Sequence, residues 1–233
     1  MQLLMRGRPG PPDPVRPFAA GHDLWGWPAR FSTHKYPGVT LFIMREEKNR
    51  VRQVMRCNRE AMTPAERRER SERICRHVLG LIPDGETVMV YSAKELEVNT
   101  LPLIHTLLQR GNRVIVPIIV KADVSLRLSY LEDPTVLVPS TFNVPEPIGN
   151  EIPARPGDVD TIILPMLGFD RKGGRLGYGA GYYDRFLAQN PRIRKIGIAF
   201  ACQEADRVPV DGNDIHMNCI ITEEGIVYSD GTC

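Results

Sequence analysis

Thr161-Ile162-Ile163-Leu164-Pro165-Met166-Leu167-Gly168-Phe169-Asp170 opens as an apolar, β-branched run. Arg171-Lys172-Gly173-Gly174-Arg175-Leu176-Gly177-Tyr178-Gly179-Ala180-Gly181-Tyr182-Tyr183-Asp184-Arg185 then carries it through glycines into a helical pattern. Strand, glycine-rich loop, helix is the order of an open α/β sheet, in which ligands bind outside the carboxyl ends of the strands. Gly177, Gly179 and Gly181 permit close backbone approach, so successive N–H groups can cradle an anion while the helix start adds partial positive charge. Phosphate is the ligand such a loop suits. On the glycines alone, a long turn between strand and helix fits equally well. The G-x-G-x-G spacing is neither the P-loop nor the dinucleotide fingerprint, and the chain lacks both.

Working outward, Thr87-Val88-Met89-Val90-Tyr91 is a second short apolar run of the kind buried in a parallel sheet. Arg113–Ile119, Ser125–Leu131, Lys195–Phe200 and Cys219–Ile221 read as further strands. Helical patterns lie between them. Leu101, Ile104, Leu107 and Leu108 follow a cap at Asn99 or Thr100 and precede a stop at Gly111, and another helix runs from Tyr182 to Ala188. Thr63-Pro64-Ala65-Glu66 has the cap, first-turn proline and capping-box glutamate of a helix that turns Ile74, Cys75, Val78 and Leu79 inward and ends near Gly80. From Glu46, a mostly apolar stripe of Val51, Val54, Met55, Asn58, Ala61 and Met62 stands against Lys48, Arg50, Arg52, Arg56 and Arg59, a basic amphipathic helix. Alternation of this kind predicts an α/β layered domain with a largely parallel central sheet.

Residues 1–43 read differently. Pro9, Pro11, Pro12, Pro14, Pro17, Pro28 and Pro37 interrupt every helical pattern, which predicts little regular structure there: a flexible tail, or residues upstream of a true start at Met44. Residues 44–233 then make a single domain, and 42% hydrophobic content supplies it with a sizeable core. Thirty Lys and Arg against 28 Asp and Glu leave a formal charge of +2, too balanced for a nucleic-acid or membrane surface, so the expected partner is a small molecule. A basic stretch from Lys48 to Arg76 beside a Gly/Tyr loop would also suit RNA, but the charge balance and the lack of a recognised motif weigh against it. The five cysteines contain no C-x-x-C pair and suggest neither a disulfide framework nor a zinc site, as fits a cytoplasmic protein. No run reaches the roughly 18–20 apolar residues of a membrane span.

Gly168-Phe169-Asp170, Arg175-Leu176-Gly177 and Gly181-Tyr182-Tyr183-Asp184-Arg185, in this register, resemble the signature of the 5-formyltetrahydrofolate cyclo-ligase (methenyltetrahydrofolate synthetase) family. The resemblance extends over residues 46–228. It implies a three-layer, Rossmann-like domain of the CoA-transferase-like kind, and ATP-dependent cyclisation of 5-formyltetrahydrofolate to 5,10-methenyltetrahydrofolate with Mg²⁺ assisting. Lys48 and Arg52 match that family's N-terminal Lys-x-x-x-Arg, which implies contacts to ATP. The same role is implied for Arg175, Leu176, Gly177, Tyr178, Gly179, Ala180, Gly181, Tyr182 and Tyr183. Glu97 matches a glutamate used on the folate substrate, and Tyr91, Tyr178 and Tyr182 are expected beside it on the pterin. Asn143-Val144-Pro145-Glu146-Pro147 matches a family turn. Val208-Pro209-Val210-Asp211-Gly212-Asn213-Asp214 looks like the segment in which an aspartate assists magnesium, so Asp184 and Asp214 are the expected metal ligands. Lys48, Arg175 and Tyr182 are the expected catalytic residues. Read without the resemblance, Lys48 and Arg52 suit a solvated helix face, Asp184 and Asp214 suit turn charges, and Tyr182 and Tyr183 suit packing.

The chain departs from the pattern at four positions. Tyr178 stands where the family often has arginine, Ala180 where it sometimes has lysine, Asn213 where histidine is frequent and Asn218 where aspartate is common. The loop therefore carries less side-chain charge, and the metal shell stays open. The implied reaction needs no protein nucleophile, so catalysis is expected from positioning and electrostatics. His77 and His105 read as structural, with His216 the one histidine near the expected site. Two alternatives remain: a non-catalytic nucleotide- or folate-binding regulator, and the same chemistry on a related pterin carrier. A monomer or weak homodimer is expected.

Overall fold

The computed structural model describes residues 37–212 and 214–233, so the expectations for residues 1–36 and for Asn213 lie outside the described residues. Residues 41–233 form one compact unit. In chain order the helices are α1 (Pro37–Glu60), α2 (Pro64–Leu79), α3 (Leu101–Gln109) and α4 (Tyr182–Gln189). The strands are β1 (Thr87–Val90), β2 (Arg113–Val120), β3 (Ser125–Tyr130), β4 (Val138–Pro139), β5 (Pro145–Glu146) and β6 (Ile152–Ala154). They continue with β7 (Thr161–Pro165), β8 (Gly168–Phe169), β9 (Arg175–Leu176), β10 (Arg194–Ile198), β11 (Cys219–Thr222) and β12 (Gly225–Ser229).

Eight strands make one sheet in the order β12-β11-β10-β7-β1-β2-β3-β6. Its centre, from β11 to β2, is parallel throughout. β12, β3 and β6 join the edges antiparallel. The pleat sends alternate residues to opposite faces. Val88, Val90, Val114, Val116, Ile163 and Ile196 pack with Ile74 and Val78 of α2 and Leu103 and Leu107 of α3. Met89, Ile115, Ile162, Leu164 and Ile220 face the other way, toward Phe186 and Leu187 of α4. Helices on both faces of a largely parallel sheet make the three-layer, Rossmann-like α/β domain.

Local chemistry sets the helix starts. Thr63 caps α2 with a complete capping box: its side chain accepts from the Glu66 N–H, and the Glu66 carboxylate accepts from the Thr63 N–H at 2.8 Å. α1 begins at Pro37 rather than near Glu46, a correction to the expected irregular stretch. A proline at the first helical position gives up an N–H that has no intrahelical partner there, so Pro37 opens the helix it was expected to break. The inward stripe of α1 differs too. Met55 and Arg59 are buried while Val54 and Asn58 face out, so the protein-facing positions run through Lys48, Arg52, Met55 and Arg59 and are largely basic.

A second correction concerns the cysteines. Cys219 of β11 and Cys233 form a disulfide with Cα atoms 5.3 Å apart. The β11–β12 hairpin brings the segment back, and Asn218 Nδ2 clasps it by donating to Asp230 Oδ2 and Thr232 Oγ1. Spacing in the sequence gave no sign of that return. Among the described residues, no helix is long and apolar enough to cross a membrane.

Candidate functional site

A cleft of about 1120 Å³ opens where β1 and β7 end, lined by α1, the β1–α3 connection, the glycine loop and the start of α4. α1 contributes its basic stripe. Lys48 Nζ donates to Asp211 Oδ2 at 2.8 Å and to Asp214 Oδ2 at 2.6 Å, with its side chain only 13% exposed. Burial alone would lower the Lys48 ammonium, but the two aspartate hydrogen bonds outweigh it and hold the pKa above the ordinary lysine value. One turn on, Arg52 Nε donates to Gly177 O at 2.9 Å. Burial, then the nearby Arg56, lower Arg52 from its ordinary value, and Asp214 only partly offsets them. A cation held this way is short of counter-charge.

The glycine loop is built against arginines. At Gly179 φ is +104°, and a Cβ there would come 3.3 Å from the Arg52 guanidinium. A Cβ on Gly177 would come 3.2 Å from Arg175 Nη1. The N–H groups of residues 177–181 donate to no protein acceptor among the described residues, which leaves a run of free donors at the cleft wall. Arg175 is buried beneath this wall, its Nη2 donating to Asp184 Oδ1 at 2.7 Å and its Nε without a hydrogen-bond partner among the described residues. The Asp184 Oδ1 atom also lies 3.5 Å from the Ile215 N–H, which places it beside the Asp211–Asp214 turn.

The far end of the cleft is organised by Glu97, which is 7% exposed. Its Oε2 accepts from the Lys94 N–H at 2.9 Å and its Oε1 from the Tyr178 hydroxyl at 2.5 Å. The same hydroxyl accepts from Arg59 Nη1 at 3.0 Å, and Lys94 Nζ stands 4.5 Å from the Tyr178 ring centroid. Burial first, and then the Glu97 carboxylate, push the Tyr178 phenol well above its ordinary value, so it stays a neutral donor. Tyr182 faces Phe142 edge-on at 6.4 Å. Tyr183 packs against the core, with the Arg175 guanidinium 5.9 Å from its ring.

The structure thus brings Lys48, Arg52, Arg175, Leu176, Gly177, Tyr178, Gly179, Ala180, Gly181, Tyr182, Tyr183, Asp184, Asp214, Tyr91 and Glu97 to one cleft. Tyr91 borders the cleft, and its hydroxyl donates to Val98 O at 3.0 Å. His216 is exposed, with Nδ1 3.3 Å from Lys172 O, and does not line the cleft. Asn218 serves the clasp on β12, and its Oδ1 accepts from the Lys195 N–H. Sequence reading overlooked Asp211, Arg59 and Ser92. Arg59 lies on the same helical face as Lys48 and Arg52, and that spacing was a usable signal.

Magnesium at ATP sites takes one or two protein carboxylates and completes its shell with phosphates and water. Asp184 and Asp214 fit that role, each now held by a cation. Among the described residues, no group of three or more His, Cys, Asp or Glu side chains is placed to hold a metal alone.

The model of the 5-formyltetrahydrofolate cyclo-ligase family matches residues 44–223. The 5-formyltetrahydrofolate cyclo-ligase of Mycolicibacterium smegmatis is 32% identical over 77% of this chain and 96% of its own length. That of Escherichia coli K12 is 30% identical over 72% and 96%. Among solved structures, the 5,10-methenyltetrahydrofolate synthetase of Aquifex aeolicus superposes with a TM-score of 0.66 at 31% identity, covering 77% of this chain and 91% of that one.

Proposed function

The chain belongs to the 5-formyltetrahydrofolate cyclo-ligase family, and from that premise we propose that its cleft closes the ring of 5-formyltetrahydrofolate at the expense of ATP. The carrying observation is the convergence of Lys48, Arg52 and Arg175 on a loop whose N–H groups have no protein acceptor among the described residues. Those groups hold the triphosphate, the loop from Leu176 to Tyr183 following its backbone. Lys48 and Arg175 reach it by giving up their bonds to Asp214 and Asp184, the two carboxylates that would hold magnesium. The ion neutralises phosphate charge when bound. Glu97 accepts from the pterin's N–H edge, and the rings of Tyr182, Tyr178 and Tyr91 supply apolar walls.

The formyl oxygen attacks the γ-phosphorus, and the bond to the ADP oxygen breaks. N10 then attacks the formyl carbon and loses its proton, the carbon–oxygen bond to phosphate breaks, and 5,10-methenyltetrahydrofolate and phosphate leave. Every nucleophile belongs to a substrate, so the protein's part is alignment and charge stabilisation. Lys48 and Arg175 stabilise the transferring phosphoryl group, and Tyr182 orients the ring.

The test is the near-ultraviolet absorbance of the methenyl product on mixing protein, 5-formyltetrahydrofolate and Mg²⁺ with and without ATP. An ATP-dependent rise is expected. No rise, with nucleotide still bound, would replace the enzyme with a non-catalytic binder.

A further inference from the structure

Ser92 is the residue after Tyr91, where the chain leaves the central strand β1 and enters the cleft. It is 6% exposed, and its Oγ is one of the few buried side-chain polar atoms with no hydrogen-bond partner among the described residues. A buried hydroxyl left unpaired costs free energy in the ligand-free protein, and folded chains keep few of them. The residue that carries this one lines the cleft, so a ligand bound there can supply the missing partner.

We propose that Ser92 is a pterin-binding residue that reads the ring's carbonyl while Glu97 reads the neighbouring N–H groups. The inference rests on the folate reading above and adds a contact to it. Along its amide edge a pterin presents one acceptor, the ring carbonyl, followed by two donors, the ring N–H and the exocyclic amine. An ionised carboxylate only accepts, so Glu97 serves the donors and leaves the carbonyl unmatched. A serine hydroxyl both donates and accepts, and this one lies in the same β1–α3 connection as Glu97. That connection is pinned on both sides. Thr100 Oγ1 donates to Tyr91 O at 2.7 Å, the Tyr91 hydroxyl donates to Val98 O, and the Lys94 N–H donates to Glu97 Oε2. Ser92 and Glu97 therefore sit on one tied loop, as a two-point reader of a rigid ring requires.

Ser92→Ala and Ser92→Thr test this in the full-length protein, with KM measured separately for 5-formyltetrahydrofolate and ATP, and with the ligand-free thermal midpoint as control. Ser92→Ala is expected to raise KM for the folate roughly five- to tenfold, the weight of one neutral hydrogen bond. KM for ATP stays, and the midpoint stays or rises because an orphan polar atom has gone. Ser92→Thr, which keeps the hydroxyl, recovers most of the folate affinity. Unchanged folate KM overturns the proposal, as does a rise confined to ATP. A midpoint several degrees lower in Ser92→Ala, or failure of that variant to fold, shows a structural role and overturns it too. Wild-type turnover separates the two readings: if the wild type makes no methenyl product, the folate reading fails and takes this one with it, whereas turnover with an unaffected Ser92→Ala removes this one alone.

Discussion

Gly179 shows how tightly single residues are constrained at the cleft. Its φ of +104° suits few side chains, and its missing Cβ leaves the 3.3 Å that the Arg52 guanidinium occupies. Gly179→Ala is therefore expected to raise the Kd for ATP about tenfold, or ~1.4 kcal/mol, with a thermal midpoint within a few degrees of wild type, measured by titration calorimetry and thermal melts. An ATP affinity equal to wild type would show that the loop does not meet the phosphates. Part of this scale was legible in advance: the alternate glycines stood out by their spacing, whereas Lys48, Arg52 and Arg175 were named by the family resemblance, since on spacing alone Lys48 and Arg52 suit a solvated helix face. The contacts among them were not legible. Tyr178 meets Glu97 across 81 positions of sequence, and Lys48 meets Asp214 across 166, distances over which no periodicity carries information. Arg59 was assigned to solvent because charge usually means exposure, yet it lies buried against the Tyr178 hydroxyl.

At the scale of elements, α2 was the most readable, because capping chemistry is local: Thr63, Pro64 and Glu66 specify its start within four residues. Thr63→Ala should lower unfolding free energy by about 1 kcal/mol, checked by urea melts at neutral pH. Glu66 adds a pH signature. The Thr63 N–H first, and the Thr63 side chain next, hold its carboxyl below the ordinary value of 4.5. A carboxyl lowered on folding stabilises fully above its unfolded pKa and loses that contribution as pH falls through the lowered folded one. The stability gap between wild type and Glu66→Gln should accordingly narrow as the solution is acidified below about pH 4.5, and a gap constant with pH would contradict the capping box. The start of α1 was misread for the opposite reason, since a proline has one meaning inside a helix and another at its first position.

For the molecule as a whole, alternating apolar runs and helices sufficed to predict a layered sheet, because parallel pairing with helical crossovers leaves few other arrangements. The edges were less legible. β12 returns antiparallel to β11, and this return joins Cys219 to Cys233 across 14 residues. Closing a loop of that size is worth roughly 3 kcal/mol. Cys233→Ser should therefore lower the thermal midpoint under oxidising conditions and leave it unchanged in reductant, and peptide mapping without reduction should recover the linked pair. Equal midpoints under both conditions would show that the bond is absent in solution. The pairing of Lys48 with Asp211 and Asp214 has a different reach. A ribosome delivers α1 long before it delivers those aspartates, so the helix's cationic side is without its carboxylates until translation has passed position 214. The paired state of this helix face cannot be put together in instalments on the nascent polypeptide; it waits for carboxylates that lie 163 and 166 positions further along the chain.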